Sequence, residues 1–79
     1  MDDKLSIRIN IAERYYPLKV SRNEEEKIRK AAKMINDKLL LYKQNYAGKE
    51  ALDFIAMVSL DFASKLIEIL FTEGKYQLN

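Results

Sequence analysis

Residues 50 to 73, EALDFIAMVSLDFASKLIEILFTE, constrain the rest of the chain, because they are apolar on more sides than one small domain can cover. Wound as an α-helix at about 100° per residue, they gather Asp61, Ser64, Lys65, Glu68 and Thr72 into one polar stripe about 100° wide. Leu52, Ile55, Val58, Leu60, Phe62, Ala63, Leu66, Ile67, Ile69, Leu70 and Phe71 spread over about 220° of arc, where an ordinary surface helix shows a single apolar face. A membrane span does not explain this surface, since Asp61, Lys65 and Glu68 interrupt a stretch that would need about 20 apolar residues. Burying one Leu, Ile or Phe side chain is worth about 1.5–3 kcal/mol, so leaving half of them wet is a large liability. The expectation is self-association through Leu52, Ile55, Phe62, Leu66, Ile69 and Leu70. The alternative, a core helix of a monomer wrapped on all sides, needs more covering chain than the other residues supply.

With 79 residues the chain is one domain, of a size whose thin core is commonly supplemented by oligomerisation. A hydrophobic content of 48% excludes a disordered segment. Neither cysteine nor histidine occurs, which removes disulfides, thiolate zinc sites, imidazole bases and Cys/His nucleophilic pairs. The first residues, MDDKLSIRIN, carry two acids and no apolar run of the secretory type, so a reduced, cytoplasmic setting is expected. The net charge of +2 hides a division of sign: residues 27 to 49 hold seven basic groups and one acid, while residues 50 to 79 hold two and five. A basic middle segment suggests an acidic partner.

From Leu5 the chain alternates, Leu5, Ile7, Ile9, Ile11, with Ser6, Arg8 and Asn10 between them, the pattern of a half-buried strand. Tyr16, Leu18 and Val20 repeat it after the link Ala12, Glu13, Arg14, which predicts an antiparallel hairpin. Pro17 lacks an N–H, so its strand is expected to be an edge or to turn that position toward solvent. An isolated hairpin is marginal in water, so its apolar face must lie on a helix.

Ser21, Arg22, Asn23, Glu24 read as a capping box opening the first helix, and Glu24, Glu25 and Glu26 suit the positive end of its dipole. Ile28, Ala31, Ala32, Ile35, Leu39, Tyr42 and Tyr46 form its apolar face; Arg29, Lys30, Lys33 and Gln44 form the opposite one. Met34 and Leu41 make a smaller apolar flank. Gly48 fits a left-handed helix stop, and Gly74 either ends the second helix or is tolerated inside it, with Tyr76 and Leu78 continuing the seam. The expected fold is α+β: an N-terminal β-hairpin packed on two α-helices, the second long and mediating coiled-coil-like dimerisation. The division is a head over residues 1–48 and a dimerisation helix over 49–79.

Chemistry is sparse. Two distant glycines build neither a phosphate loop nor a dinucleotide fingerprint, and the serines have no histidine to activate them. No enzyme activity, cofactor, metal or small-molecule substrate is expected. Asp61 reads as half of an exposed i, i+4 pair with Lys65. The stripe Arg29, Lys30, Lys33 with Lys43 is either a solvated helix face or a surface for an acidic partner. A nucleic-acid reading wants aromatics on that same face, whereas Tyr42 and Tyr46 fall on the apolar one.

Three segments, IRINIAERYYPLKVS, EEEKIRKAAKMINDKL and EALDFIAMVSLDFASKL, in the order hairpin, helix, associating helix, resemble the ZapA family of bacterial cell-division proteins. The more specific elements are Ile9, Ile11 and Arg14; Ala31 and Ala32 followed by Ile35, Asn36 and Leu39; and Glu50, Leu52, Phe54, Ile55 and Ala56. The resemblance implies a cytoplasmic homodimer or dimer of dimers at the division site, whose heads bind FtsZ and cross-link its protofilaments. It further implies partner contacts at Arg14, Lys43 and Glu50, to which the sign map adds Arg29 and Lys33. Two departures stand out: Glu13 occupies a position where the family usually has Gly, and the second helix is short beside the extended coiled coil of longer members. The competing function is a small dimeric binder of nucleic acid or membrane surfaces that uses the same basic helix face.

Overall fold

The computed structural model describes residues 3–75, and two compact units divide the chain, Met1–Ala47 and Gly48–Asn79. In the first unit, strand β1 (Lys4–Ile11) pairs antiparallel with β2 (Arg14–Ser21), a short 3-10 turn spans Arg22–Glu24, and helix α1 runs Glu25–Asn45. The second unit is built on helix α2, Ala51–Thr72. A hairpin followed by two helices, the second long, is the α+β arrangement expected from the alternation and the helical spacing.

The hairpin link is shorter than expected. Arg14 already pairs with Ile11, leaving Ala12 and Glu13 as a two-residue turn. Their φ angles are 55° and 66°, the left-handed pattern of a type I′ turn, whose twist matches that of the flanking strands. Neither residue is a glycine. The register aligns Leu5 with Val20, Ile7 with Leu18 and Ile9 with Tyr16, so all six share one face. Starting from a two-residue loop, hydrogen-bonded and non-hydrogen-bonded pairs alternate, which makes Arg8 and Pro17 a non-hydrogen-bonded pair. The N–H that Pro17 lacks would point away from β1, so the ladder loses nothing.

Helix α1 lies against β1. Ile7, Ile9, Val20 and Ala32 form the buried core of this unit, with Leu5, Ile11 and Ile28 packed on it. Tyr16 and Leu18 share the inward face yet remain 44% and 40% exposed, because β2 lies farther from the helix. On α1 the spacing correctly singles out Ala32 and Leu39 as buried, but Ala31 is exposed.

The entry to α1 departs from the capping box. The Ser21 hydroxyl donates to the Glu24 carboxylate at 2.8 Å, lies 2.7 Å from Asn23 Oδ1 and caps no backbone N–H. Ser21 is still the last residue of β2, and the 3-10 turn delays the α-helix until Glu25. The Arg22 N–H donates to the Asp3 carbonyl at 3.1 Å, tying the turn to the start of β1. The Ser21 hydroxyl, followed by the charge of Lys27, holds the Glu24 carboxyl below its ordinary value.

A reciprocal capping box does occur, at the start of α2. The Glu50 N–H donates to the Asp53 carboxylate at 3.0 Å, and the Glu50 side chain accepts from the Asp53 backbone in return. Gly48 has a φ of +75°, but α1 has already ended at Asn45 with Tyr46 extended, so this glycine shapes the link and does not cap the helix. Gly74, with φ +73°, does end α2: its N–H donates to the Phe71 carbonyl and that of Lys75 to the Leu70 carbonyl, the two bonds of a Schellman motif. Tyr76 and Leu78 lie outside the described residues.

On α2 the covered line is Phe54 and Val58, 5% and 3% exposed, continuing to Asp61, whose side chain is 19% exposed. The Asp61–Lys65 pair forms at 2.8 Å, but its acid is largely covered and not open to solvent as the spacing alone suggested. The wide apolar arc is left open: Leu52, Leu60, Leu66, Ile69 and Phe71 are each more than half exposed and Ile55 is 37% exposed, while Phe62 and Leu70 are half-buried.

Candidate functional site

One side chain organises the polar surface of the first unit. Asn36, midway along α1, accepts the Ala12 N–H at its Oδ1 (3.0 Å) and donates from Nδ2 to the Asn10 carbonyl (2.8 Å). A single amide thus satisfies a donor in the hairpin turn and an acceptor on the outer edge of β1. An asparagine suits this position because it carries one acceptor and two donors on a short stem. The bonds bring the hairpin tip to the middle of α1.

Two clefts meet at that amide. Toward the C-terminal half of α1, Asn10, Ala12, Glu13, Asn36, Leu39, Leu40 and Lys43 line a cleft of about 220 Å³. Lys43 and the turn therefore share one surface, with the exposed Arg14 directly after the turn. Toward the N-terminal half, a cleft of about 400 Å³ is lined by Arg8, Ile9, Asn10, Tyr15, Arg29, Ala32, Lys33 and Asn36. Three of its lining residues are cations and none is an acid. The Arg8 guanidinium lies 4.6 Å from the centre of the Tyr15 ring, a cation–π contact across the strands.

The residues expected to meet a partner fall into three groups. Arg29 and Lys33 line the larger cleft, and each has a partner one turn away, the half-buried Glu25 at 3.0 Å and the exposed Asp37 at 2.7 Å. Such i, i+4 pairs contribute about 0.3–0.5 kcal/mol and yield to a competing carboxylate. Arg14 and Lys43 lie at the hairpin tip, and among the described residues neither makes an ion pair. Glu50 opens α2 in the second unit, where its side chain is engaged in the capping box.

Arg8, Tyr15 and the bonding role of Asn36 were not singled out from the chain alone. Arg8 and Tyr15 occupy the alternate positions of their strands, opposite the apolar ones, a pattern that signals surface and nothing more. The clefts are made by the approach of β1 to α1, residues 24 to 26 positions apart in sequence.

The model of the family described as cell division protein ZapA matches residues 7–77, nearly the whole chain. The chain belongs to the ZapA family. The match takes in most of the hairpin, both helices and the Asn36 contact, so both clefts lie within the matched stretch. Membership makes this a cell-division protein associated with FtsZ. Searches of curated proteins and of solved structures returned no match. No helix among the described residues is long and apolar enough to cross a membrane.

Proposed function

We propose that the chain is a non-enzymatic, cytoplasmic adaptor that dimerises along α2 and presents two charged heads to FtsZ at the division site, linking neighbouring protofilaments. The observation that carries the reading is the open apolar arc of α2 in a member of the ZapA family. Six large apolar side chains, Leu52, Ile55, Leu60, Leu66, Ile69 and Phe71, are at least a third exposed. At about 1.5–3 kcal/mol each when fully buried, they supply the driving force of an obligate apolar interface. Leu52, Ile55, Phe62, Leu66, Ile69 and Leu70 are the dimerisation residues. A coiled coil extended beyond Gly74 would have to dissolve the Schellman motif there, which favours a dimer over a dimer of dimers.

Arg14, Lys43, Arg29, Lys33 and Glu50 are the partner-binding residues. They act by steering and rim pairing, so one Lys-to-Ala change costs about 0.2–1 kcal/mol and binding weakens as salt rises. The test is co-pelleting with FtsZ assembled in GTP, using wild type and the Arg14→Glu, Lys43→Glu double variant, each first shown to be dimeric by sedimentation. The double variant is expected to lose co-pelleting and bundling with its dimer intact. Wild-type bundling by the double variant refutes the charged-head mechanism. A folded monomer at micromolar concentration refutes the dimer, and retention of duplex DNA at moderate salt by a protein that ignores FtsZ favours the nucleic-acid reading.

A further inference from the structure

We propose that the cationic cleft between β1 and α1 captures an extended acidic peptide segment, which adds to the outer edge of β1 as a third strand. The two-residue turn sets the parity of the ladder, so the N–H and C=O groups of Lys4, Ser6, Arg8 and Asn10 point away from β2. The Asn36 bond to the Asn10 carbonyl lies on this outer side, as that parity requires. Asn36 therefore closes the edge at Asn10, and among the described residues no hydrogen bond reaches the outward groups of Ser6 or Arg8.

The two edges of the hairpin differ. On β2 the outward positions are Tyr15, Pro17 and Lys19, and Pro17 removes the central donor, which blocks a continuous ladder. On β1 nothing interrupts Lys4 to Arg8. A strand placed about 4.8 Å beyond β1 would run beside the cleft, with Arg29 and Lys33 toward one of its faces and Arg8, propped on Tyr15, toward the other. Backbone pairing would then supply register, and the three cations would select carboxylate side chains.

Charge also decides between a foreign peptide and a second copy of β1. In the antiparallel self-pairing centred on Ser6, Lys4 of each strand lies opposite Arg8 of the other. Like charges directly opposite are destabilising, whereas an acidic strand relieves both. The proposal rests on the filament-binding reading only in that it names a feature of the partner, an exposed acidic strand-forming segment.

The experiment titrates the full chain with a fluorescein-labelled decapeptide of alternating aspartate and threonine, and with the same peptide N-methylated at every residue. Charge is equal in the two, but the second cannot pair along an edge. Saturable binding of the first alone is expected, with the Ser6 and Arg8 amides slowed in hydrogen exchange. The Arg8→Glu, Lys33→Glu variant should weaken binding about tenfold, and the Lys27→Glu, Lys30→Glu variant, whose changes lie outside the cleft, less than about threefold. Equal binding of the N-methylated peptide, equal loss in the two double variants, or slow exchange of the Ser6 and Arg8 amides that depends on protein concentration and not on peptide overturns the proposal. Co-pelleting with FtsZ is measured on the same proteins. Co-pelleting without peptide binding overturns the cleft and leaves the filament reading standing; peptide binding without co-pelleting does the reverse.

Discussion

Replacing Glu13 by glycine should stabilise the protein. Glu13 has a φ of 66° and is exposed, so its side chain bears the steric cost of the left-handed region without a buried contact to offset it. That cost is about 1–2 kcal/mol for an L-residue with a Cβ, and glycine removes it. Glycine also makes the unfolded chain more flexible, which takes back about 0.4–1 kcal/mol. The net expectation for Glu13→Gly is a gain of about 0.5–1 kcal/mol, or about 3–6 °C in Tm for a domain of this size. A series separates backbone strain from lost charge: Glu13→Asn, which tolerates positive φ, should also gain, while Glu13→Val should lose. The assay is thermal and urea unfolding at equal protomer concentration, because dimerisation would make Tm depend on concentration. A fall in Tm for Glu13→Gly, or an equal gain for Glu13→Val, would refute the strained-turn account.

Asn36→Ala should cost about 1–3 kcal/mol, since it strands a half-buried N–H at Ala12 and a carbonyl at Asn10. Amide exchange at Ala12 should accelerate more than at Val20; equal acceleration would mean global unfolding and no local pin. Gly74→Ala meets no atom within 4 Å but must hold φ +73°, so it should cost about 1–2 kcal/mol and fray the last turn of α2, read as loss of helical signal. Below the ordinary glutamate range the Ser21–Glu24 junction should loosen. The Glu24 carboxyl is held below its ordinary value, so its contribution is complete above the unfolded pKa and is lost as pH falls through the folded one. Glu24→Gln should abolish that part of the acid dependence in a pH series of urea melts, and an unchanged series would sink the assignment.

The periodicities of the chain determined the elements and their order. Alternation from Leu5 and from Tyr16 placed two strands, spacings of three and four placed α1, and the long apolar run placed α2, because side-chain direction repeats every 2.0 or 3.6 residues whatever the rest of the molecule does. The element ends were less legible. Ser21 to Glu24 carries the letters of a capping box but donates side chain to side chain, while the box that forms uses Glu50 and Asp53, whose acidic pair is a less usual version of the signal. Local sequence offers the same hydroxyl to a strand end or a helix start, and the register of β2 settled which it serves. The clefts belong to tertiary structure alone. Arg8 and Tyr15 lie on strands, Arg29 and Lys33 on a helix, and they line one surface because Asn36 reaches the edge of β1 across 26 residues of chain. Polar positions on separate elements carry no signal of their mutual distance; that distance is set by the packing of Ile7, Ile9 and Val20 around Ala32, the contact that places α1 on the hairpin.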